Sequence, residues 1–178
     1  MSERNALELP RPDLTHGSIV LRAWDAADAA ELVAAVGIAE TEAMPHWKSM
    51  EEARRWIARQ GTRLIERVGY PFAIASRETA LVQGFVGLWL RPDGSAAFGY
   101  WVLPHARGRG LATDAVELVA RWAQDELGIS VLEIAAEPEN TGSIRVAERS
   151  GFELVGPVAG YREAGGGSHD VLLYRRKG

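Results

Sequence analysis

Between Ala96 and Leu127 the chain passes from a buried-strand pattern, through a loop of small residues, into a long amphipathic helix, and no other stretch constrains the fold as strongly. Ala96-Ala97-Phe98-Gly99-Tyr100-Trp101-Val102 reads as a strand, while Ala115, Val116, Leu118, Val119, Trp122, Ala123 and Leu127 recur at helical spacing. The junction is Arg107-Gly108-Arg109-Gly110-Leu111-Ala112. A small-residue loop ending at a helix N-terminus leaves backbone N–H groups unpaired where partial positive charge gathers, so an anion can approach closely. The same letters also suit a plain glycine-softened turn, and the loop alone leaves both readings open.

Two nucleotide-binding patterns do not fit. A nucleotide-hydrolysing P-loop places Lys and then Ser or Thr after its second glycine, whereas Gly110 is followed by Leu111-Ala112. A dinucleotide fingerprint needs a third small residue three positions after Gly110, where this chain has Thr113, and an acidic residue ending a following strand, which is missing.

At 178 residues, 47% hydrophobic, the chain has the size of one domain with a real core. The expectation is a single domain over 1–178, with 1–17 poorly structured or peripheral. A net charge of −4 argues against nucleic acid as the main partner, so any anion site is local. Without cysteine, disulfides, thiolate zinc sites and a cysteine nucleophile drop out, and His16, His46, His105 and His169 lack paired metal spacing, so no metal is expected. The polar start Met1-Ser2-Glu3-Arg4-Asn5 and the lack of a long apolar run predict a cytoplasmic protein that does not enter a membrane. Gly165-Gly166-Gly167 is the one low-complexity patch. Oligomeric state is not legible; a homodimer is left open.

Ile19-Val20-Leu21-Arg22 predicts a first strand, and Asp25 stands as N-cap to a helix carrying Leu32, Val33 and Val36. Ser49 and Glu52 form a capping-box pattern for a second helix running towards Glu66, with Trp56, Ile57 and Leu64 inward. Its other face carries Arg54, Arg55, Arg59 and Arg63, which suit a solvated face or the attraction of an acidic substrate. Runs 71–75 and 81–90, a Pro92-Asp93-Gly94 turn and the strand at 96–102 predict an antiparallel meander. Beyond the long helix, Gly128 is a C′ residue, 131–136 a strand, and Asn140 caps a short helix ending near Ser150-Gly151. Residues 152–155 and 171–174 supply closing strands. The predicted class is α/β (α+β): a mixed, mostly antiparallel sheet of about seven strands flanked by four helices, in the order β-α-α-β-β-β-α-β-α-β-β.

That order, with Arg107-x-x-Gly110-x-Ala112 and the later Asn140-Thr141-Gly142-Ser143-Ile144-Arg145-Val146-Ala147-Glu148-Arg149-Ser150-Gly151-Phe152, resembles the GCN5-related N-acetyltransferase superfamily. The first motif is similar to the family's acetyl-CoA loop. The second, and Gly99-Tyr100-Trp101, resemble the branch that acetylates ribosomal-protein N-termini. The resemblance runs from about Leu21 to Tyr174 and implies an acetyl-CoA-dependent N-acetyltransferase that acts on a primary amine by direct transfer. A rival is an acetyl-CoA-binding sensor or scaffold of the same fold.

The resemblance implies that Gly108, Arg109, Gly110, Leu111, Ala112 and Thr113 present amides to the coenzyme A pyrophosphate, with Arg107 or Arg109 assisting. It implies a strand that splays from 131–136, so that the backbone of Trp101, Val102 and Leu103 pairs with the pantetheine arm. A backbone N–H near Val102 or Leu103 is the expected oxyanion donor. Asn140 is a helix cap, a cofactor contact or both. Ser143 is a helix-surface residue or the group that protonates the departing thiolate. Relatives carry a Glu where this chain has Ala97, so the amine proton must leave through water, Glu133, Glu137, His169 or Asp170. Tyr161 is a candidate general acid or a packing aromatic. The segment His46-Trp47-Lys48 and the helix beginning at Ser49 are expected to border the acceptor.

Overall fold

The computed structural model describes residues 6–35, 47–162 and 168–178. The expectations resting on Met1 to Asn5, Val36, His46 and Gly165 to Gly167 lie outside these residues. Eight strands form one sheet: β1 (Leu14–His16), β2 (Ile19–Arg22), β3 (Gly69–Ser76), β4 (Val82–Leu90), β5 (Ala96–Val102), β6 (Val131–Ala136), β7 (Glu153–Arg162) and β8 (Ser168–Lys177). Their order across the sheet is β1-β2-β3-β4-β5-β6-β8-β7. Every neighbouring pair is antiparallel except β5 with β6. The helices are α1 (Ala29–Ala35), α2 (Met50–Ile65), α3 (Leu111–Asp125) and α4 (Thr141–Arg149).

The expected element order holds, with one strand more than anticipated. The extra strand, β1, is an edge strand, and Leu7, Leu9 and Leu14 pack against the core, so the described part of the amino-terminal stretch is peripheral yet built in. Strands β7 and β8 extend well past the short apolar cores that announce them. Polar and glycine residues continue both arms, and the register shifts between Leu154 and Gly156 and between Val158 and Tyr161.

Helix starts follow their caps, except that Asp25 caps a single 3₁₀ turn, Ala26–Asp28, which leads into α1. Asp25 accepts from Ala27 N–H while Asp28 Oδ2 accepts from Asp25 N–H at 2.9 Å, and Arg22 grips the buried Asp28 through both guanidinium arms at 2.7 and 2.8 Å. At α2, Ser49 Oγ accepts from Glu52 N–H, but Glu52 reaches one residue further back than a capping box predicts, to Lys48 N–H at 2.7 Å. Gly128, at φ +66°, follows α3 and turns the chain so that Ile129 N–H reaches Ala123 C=O at 3.0 Å.

Alternation along the strands sorts the core into two layers. On one face Phe72, Ile74, Val86, Leu88, Phe98, Leu132 and Ile134 pack beneath Leu111, Ala115, Val116 and Val119 of α3. On the other, Ala73, Val82, Phe85, Trp101 and Leu103 meet Leu32 of α1 and Ala53 and Ile57 of α2. Five tryptophans lie on this second side. Trp24, Trp47, Trp56 and Trp101 have neighbouring ring centroids 4.9–6.2 Å apart, and Phe85 stacks on both Trp101 and Trp89.

Candidate active site

Strands β5 and β6 pair only at Ala96–Leu132 and Ala97–Glu133. Beyond Ala97 they part, as the resemblance implied, and a gap opens through the sheet. Leu103 N–H donates to Gln83 C=O at 2.8 Å. In an antiparallel ladder alternate residues direct their backbone groups to the same neighbour, so Trp101 and Leu103 are bonded towards β4 while Tyr100 and Val102 turn theirs towards the gap. This narrows the expected backbone contact to Val102, since Trp101 as well as Leu103 spends its backbone groups on β4. Leu103 is fully buried, its N–H is taken, and it does not line the cleft; Val102 is the residue whose N–H faces the opening.

On the α3 side lies a cleft of about 560 Å³. Of the residues expected to hold the cofactor, Trp101, Val102, Arg107, Gly108, Gly110, Leu111, Ala112, Thr113, Asn140 and Ser143 line it; Arg109 does not. Gly108 and Gly110 hold φ of +73° and +81°, a region that side chains other than glycine rarely adopt, and a Cβ at either would have nothing within 4 Å. Conformation rather than space therefore selects glycine, and the loop is open above the first turn of α3. Arg107 Nε donates to Val102 C=O at 3.0 Å, tying the loop to the strand end.

Asn140 Oδ1 accepts from Ser143 N–H at 2.9 Å, so the cap role is real, and Asn140 also borders the cleft. The Ser143 hydroxyl is 2.7 Å from the Tyr100 hydroxyl. Burial pushes the Tyr100 pKa up to about 12, the bond to Ser143 opposing it, so the phenol keeps its proton at neutral pH. Tyr100 carries no sequence signal beyond its place in Gly99-Tyr100-Trp101.

On the α2 face of the same gap is a second cavity, about 640 Å³, bordered by Arg59, Arg63, Trp89, Ala97, Gly99 and Tyr161 among others. Gly99 lines this cavity and Tyr100 the first, so consecutive residues of β5 separate the two. Its helical wall is the second half of α2, not the beginning at Ser49. Trp47 is buried among the tryptophans and Lys48 does not line the cavity.

Glu133 lies next to Ala97, but not as a waiting base. It is 4% exposed; one oxygen accepts from Arg91 and the other from Arg175 at 2.6 and 2.9 Å. Both oxygens are committed to guanidinium donors, and the residue bolts the end of β4 to β6 and β8. Tyr161 lines the second cavity, and its hydroxyl accepts from Arg91. Glu137 and His169 pair with each other at 3.4 Å, Asp170 accepts from Gly160 N–H, and none of the three lines either cavity. Among the described residues no cluster of acidic and histidine side chains can hold a metal.

Residues 18–153 match the family model described as "Acetyltransferase (GNAT) domain". The chain is 32% identical over 111 residues to "Probable N-acetyltransferase YjcK" of Bacillus subtilis, a match covering 61% of each chain; the chain thus spans about three fifths of that relative's length. Among solved structures it resembles the ribosomal L7/L12 α-N-protein acetyltransferase RimL in complex with coenzyme A, with a TM-score of 0.76 at 22% identity, covering 91% of this chain and 95% of that one. It also resembles the microcin C7 self-immunity acetyltransferase MccE in complex with acetyl-CoA and AMP, with a TM-score of 0.77 at 19% identity over 91% and 93%. With the split sheet, the glycine loop and a family match spanning most of its length, the chain belongs to the GNAT acetyltransferase family.

Proposed function

We propose that the protein is an acetyl-CoA-dependent N-acetyltransferase that transfers acetyl directly to a primary amine, of a protein N-terminus or of a small molecule. The observation that carries this is the pair of cavities on opposite faces of one gap in the sheet, one fitted for the donor and one left for the acceptor.

The residues suit coenzyme A. The open glycine loop and the unpaired amides at the start of α3 answer a pyrophosphate, and the gap-facing backbone of Val102 answers an extended amide-bearing arm. When bound, acetyl-CoA supplies the acyl group: the amine nitrogen gains a C–N bond and gives up a proton, the C–S bond breaks, and the departing thiolate takes up a proton. Val102 N–H is the donor for negative charge on an oxygen in the gap. Ser143, backed by the protonated Tyr100, hands a proton into the gap from the cleft side. Tyr161, with Arg91 donating to its oxygen, is the hydroxyl on the acceptor side. No free sheet carboxylate stands at Ala97, so the amine's proton leaves through water. Cytoplasmic action accords with the absence, among the described residues, of a helix long and apolar enough to cross a membrane.

Incubation with acetyl-CoA and a broad amine panel, following thiol release, tests the activity. Coenzyme A binding by calorimetry without turnover on any amine would favour a sensor or scaffold instead, a reading that Ala97 and the committed Glu133 support. Failure to bind coenzyme A would remove both.

A further inference from the structure

The four arginines of α2 do not share one environment. Arg55 lies 3.7 Å from Glu51 and Arg54 is exposed, which is the solvated face anticipated for such a run. Arg59 and Arg63, one turn apart, instead border the second cavity. Neither has an ion-pair partner among the described residues. Glu66 borders the same cavity without pairing to them, and Arg91 there is taken by Glu133 and Tyr161.

Arg63 is held in place. Its guanidinium lies 4.5 Å from the centroid of the Trp89 ring, and Nη1 donates to Gln60 Oε1 at 2.9 Å. A stacked guanidinium keeps its N–H donors in the plane, pointing sideways, where a carboxylate can take two of them. Burial, and to a smaller extent the neighbouring Arg59, lower its pKa from the ordinary arginine value. The Trp89 indole lies close across Gly87 and Gly99: a Cβ on Gly87 would stand 2.5 Å from Cζ2, and one on Gly99 3.0 Å from Nε1. The cavity therefore presents an aromatic floor and two positive charges still to be answered.

Resting on the acetyltransferase reading of this gap, we infer that the acceptor is a primary amine bearing a carboxylate, which Arg63 and Arg59 receive while the amine points towards Gly99 and the gap. The carboxylate belongs either to a small amino-acid-like molecule or to an acidic side chain near a peptide N-terminus. The chemistry recognised is the same, and matched acceptors separate the sources.

Two pairs of acceptors that differ only in charge serve as probes: a diamino acid against its carboxamide, and an N-terminal Ser-Glu peptide against Ser-Gln. At least one acid is expected to show kcat/KM about tenfold above its neutral twin, the preference residing in KM. Arg63→Met, which keeps an apolar cover on Trp89, and the exposed Arg59→Gln are expected to erase that preference, with coenzyme A affinity as the check that each variant is folded. Equal kcat/KM within both pairs, or a preference that survives both substitutions, overturns the inference and leaves the acetyltransferase reading intact. Calorimetry of the N-acetylated products with coenzyme A present gives a readout that needs no turnover: the acid product is expected to bind about tenfold tighter than its amide, and equal affinities overturn the inference even if no acceptor is turned over.

Discussion

Ala97 and Glu133 stand side by side at the last parallel rung between β5 and β6, directly below the point where the sheet opens. The small methyl of Ala97 leaves room for Glu133 to serve structure, drawing in Arg91 from the end of β4 and Arg175 from β8. A carboxylate on the floor of the gap is thereby present but spent on holding three strands together.

Glu133→Ala is expected to cost about 2 kcal/mol of stability, since it strips two charge-assisted partners, with the loss tempered because both arginines keep contact with water. Urea unfolding measures it. A stability unchanged within about 0.5 kcal/mol would show that the network does not hold the strands together. Arg175→Gln, which leaves the Arg91 contact, is expected to cost less than half as much.

Asn140 and Ser143 separate cleanly, because the cap uses the Ser143 backbone, whereas the chemistry proposed for Ser143 uses its hydroxyl. Asn140→Ala is expected to lose about 1 kcal/mol of stability through the uncapped α4. Ser143→Ala keeps the cap, so its expected signature is a kcat lowered about 10- to 100-fold with coenzyme A affinity nearly unchanged. Melting curves and a calorimetric titration of both variants distinguish the roles. A Ser143→Ala variant with full kcat would reduce Ser143 to a surface residue.

The elements and the glycine loop at the start of α3 are legible in the sequence because their signals are local. Periodicity, caps and positive-φ glycines announce α2, α3, α4 and the meander within a few residues of their ends. What depends on register was not legible. Only the pairing of Leu103 with Gln83 shows that Val102, not Leu103, faces the gap; a shift of one residue would reverse the choice. Likewise Arg59 and Arg63 read the same as Arg54 and Arg55 until α2 is laid against the end of β4. The full length of strands β7 and β8 is not legible in the sequence because their outer halves are polar, with Gly156 and Gly160 at bulges where alternation fails.

Tyr100 sets a dependence on alkaline pH. An unfolded tyrosine ionises near pH 10, whereas this one is raised to about 12, so the folded state holds its proton longer. The stabilisation is fully present below about pH 10 and is lost as pH rises from 10 towards 12, on the order of 2 kcal/mol for this group. Tyr100→Phe is expected to be about 1 kcal/mol less stable at pH 8, for want of the bond to Ser143, to close that deficit at about pH 11 and to be the more stable of the two by about 1 kcal/mol at pH 12. Denaturant midpoints across that range decide it. A constant gap between the two proteins would mean that Tyr100 is not shifted.

The glycines beneath Trp89 form a graded series. A Cβ on Gly69 would meet Leu88 C=O at 2.2 Å, which is backbone and cannot yield, while one on Gly87 would press the rings of Trp89 and Phe85 at 2.5 and 2.7 Å. On Gly99 its nearest neighbour is the Trp89 Nε1 edge alone, at 3.0 Å, which a small tilt of the ring relieves. Stability should therefore fall in the order Gly69→Ala, then Gly87→Ala at about 1–3 kcal/mol, then Gly99→Ala at under about 1 kcal/mol. Activity should follow a different order, because tilting Trp89 moves the support under Arg63 and narrows the second cavity. Gly99→Ala is expected to stay folded with near-wild-type coenzyme A affinity, yet to raise the acceptor KM several-fold. Thermal melts, coenzyme A titration and acceptor kinetics on the three variants test both orders. A Gly99→Ala protein with unaltered KM would remove Trp89 from the acceptor wall.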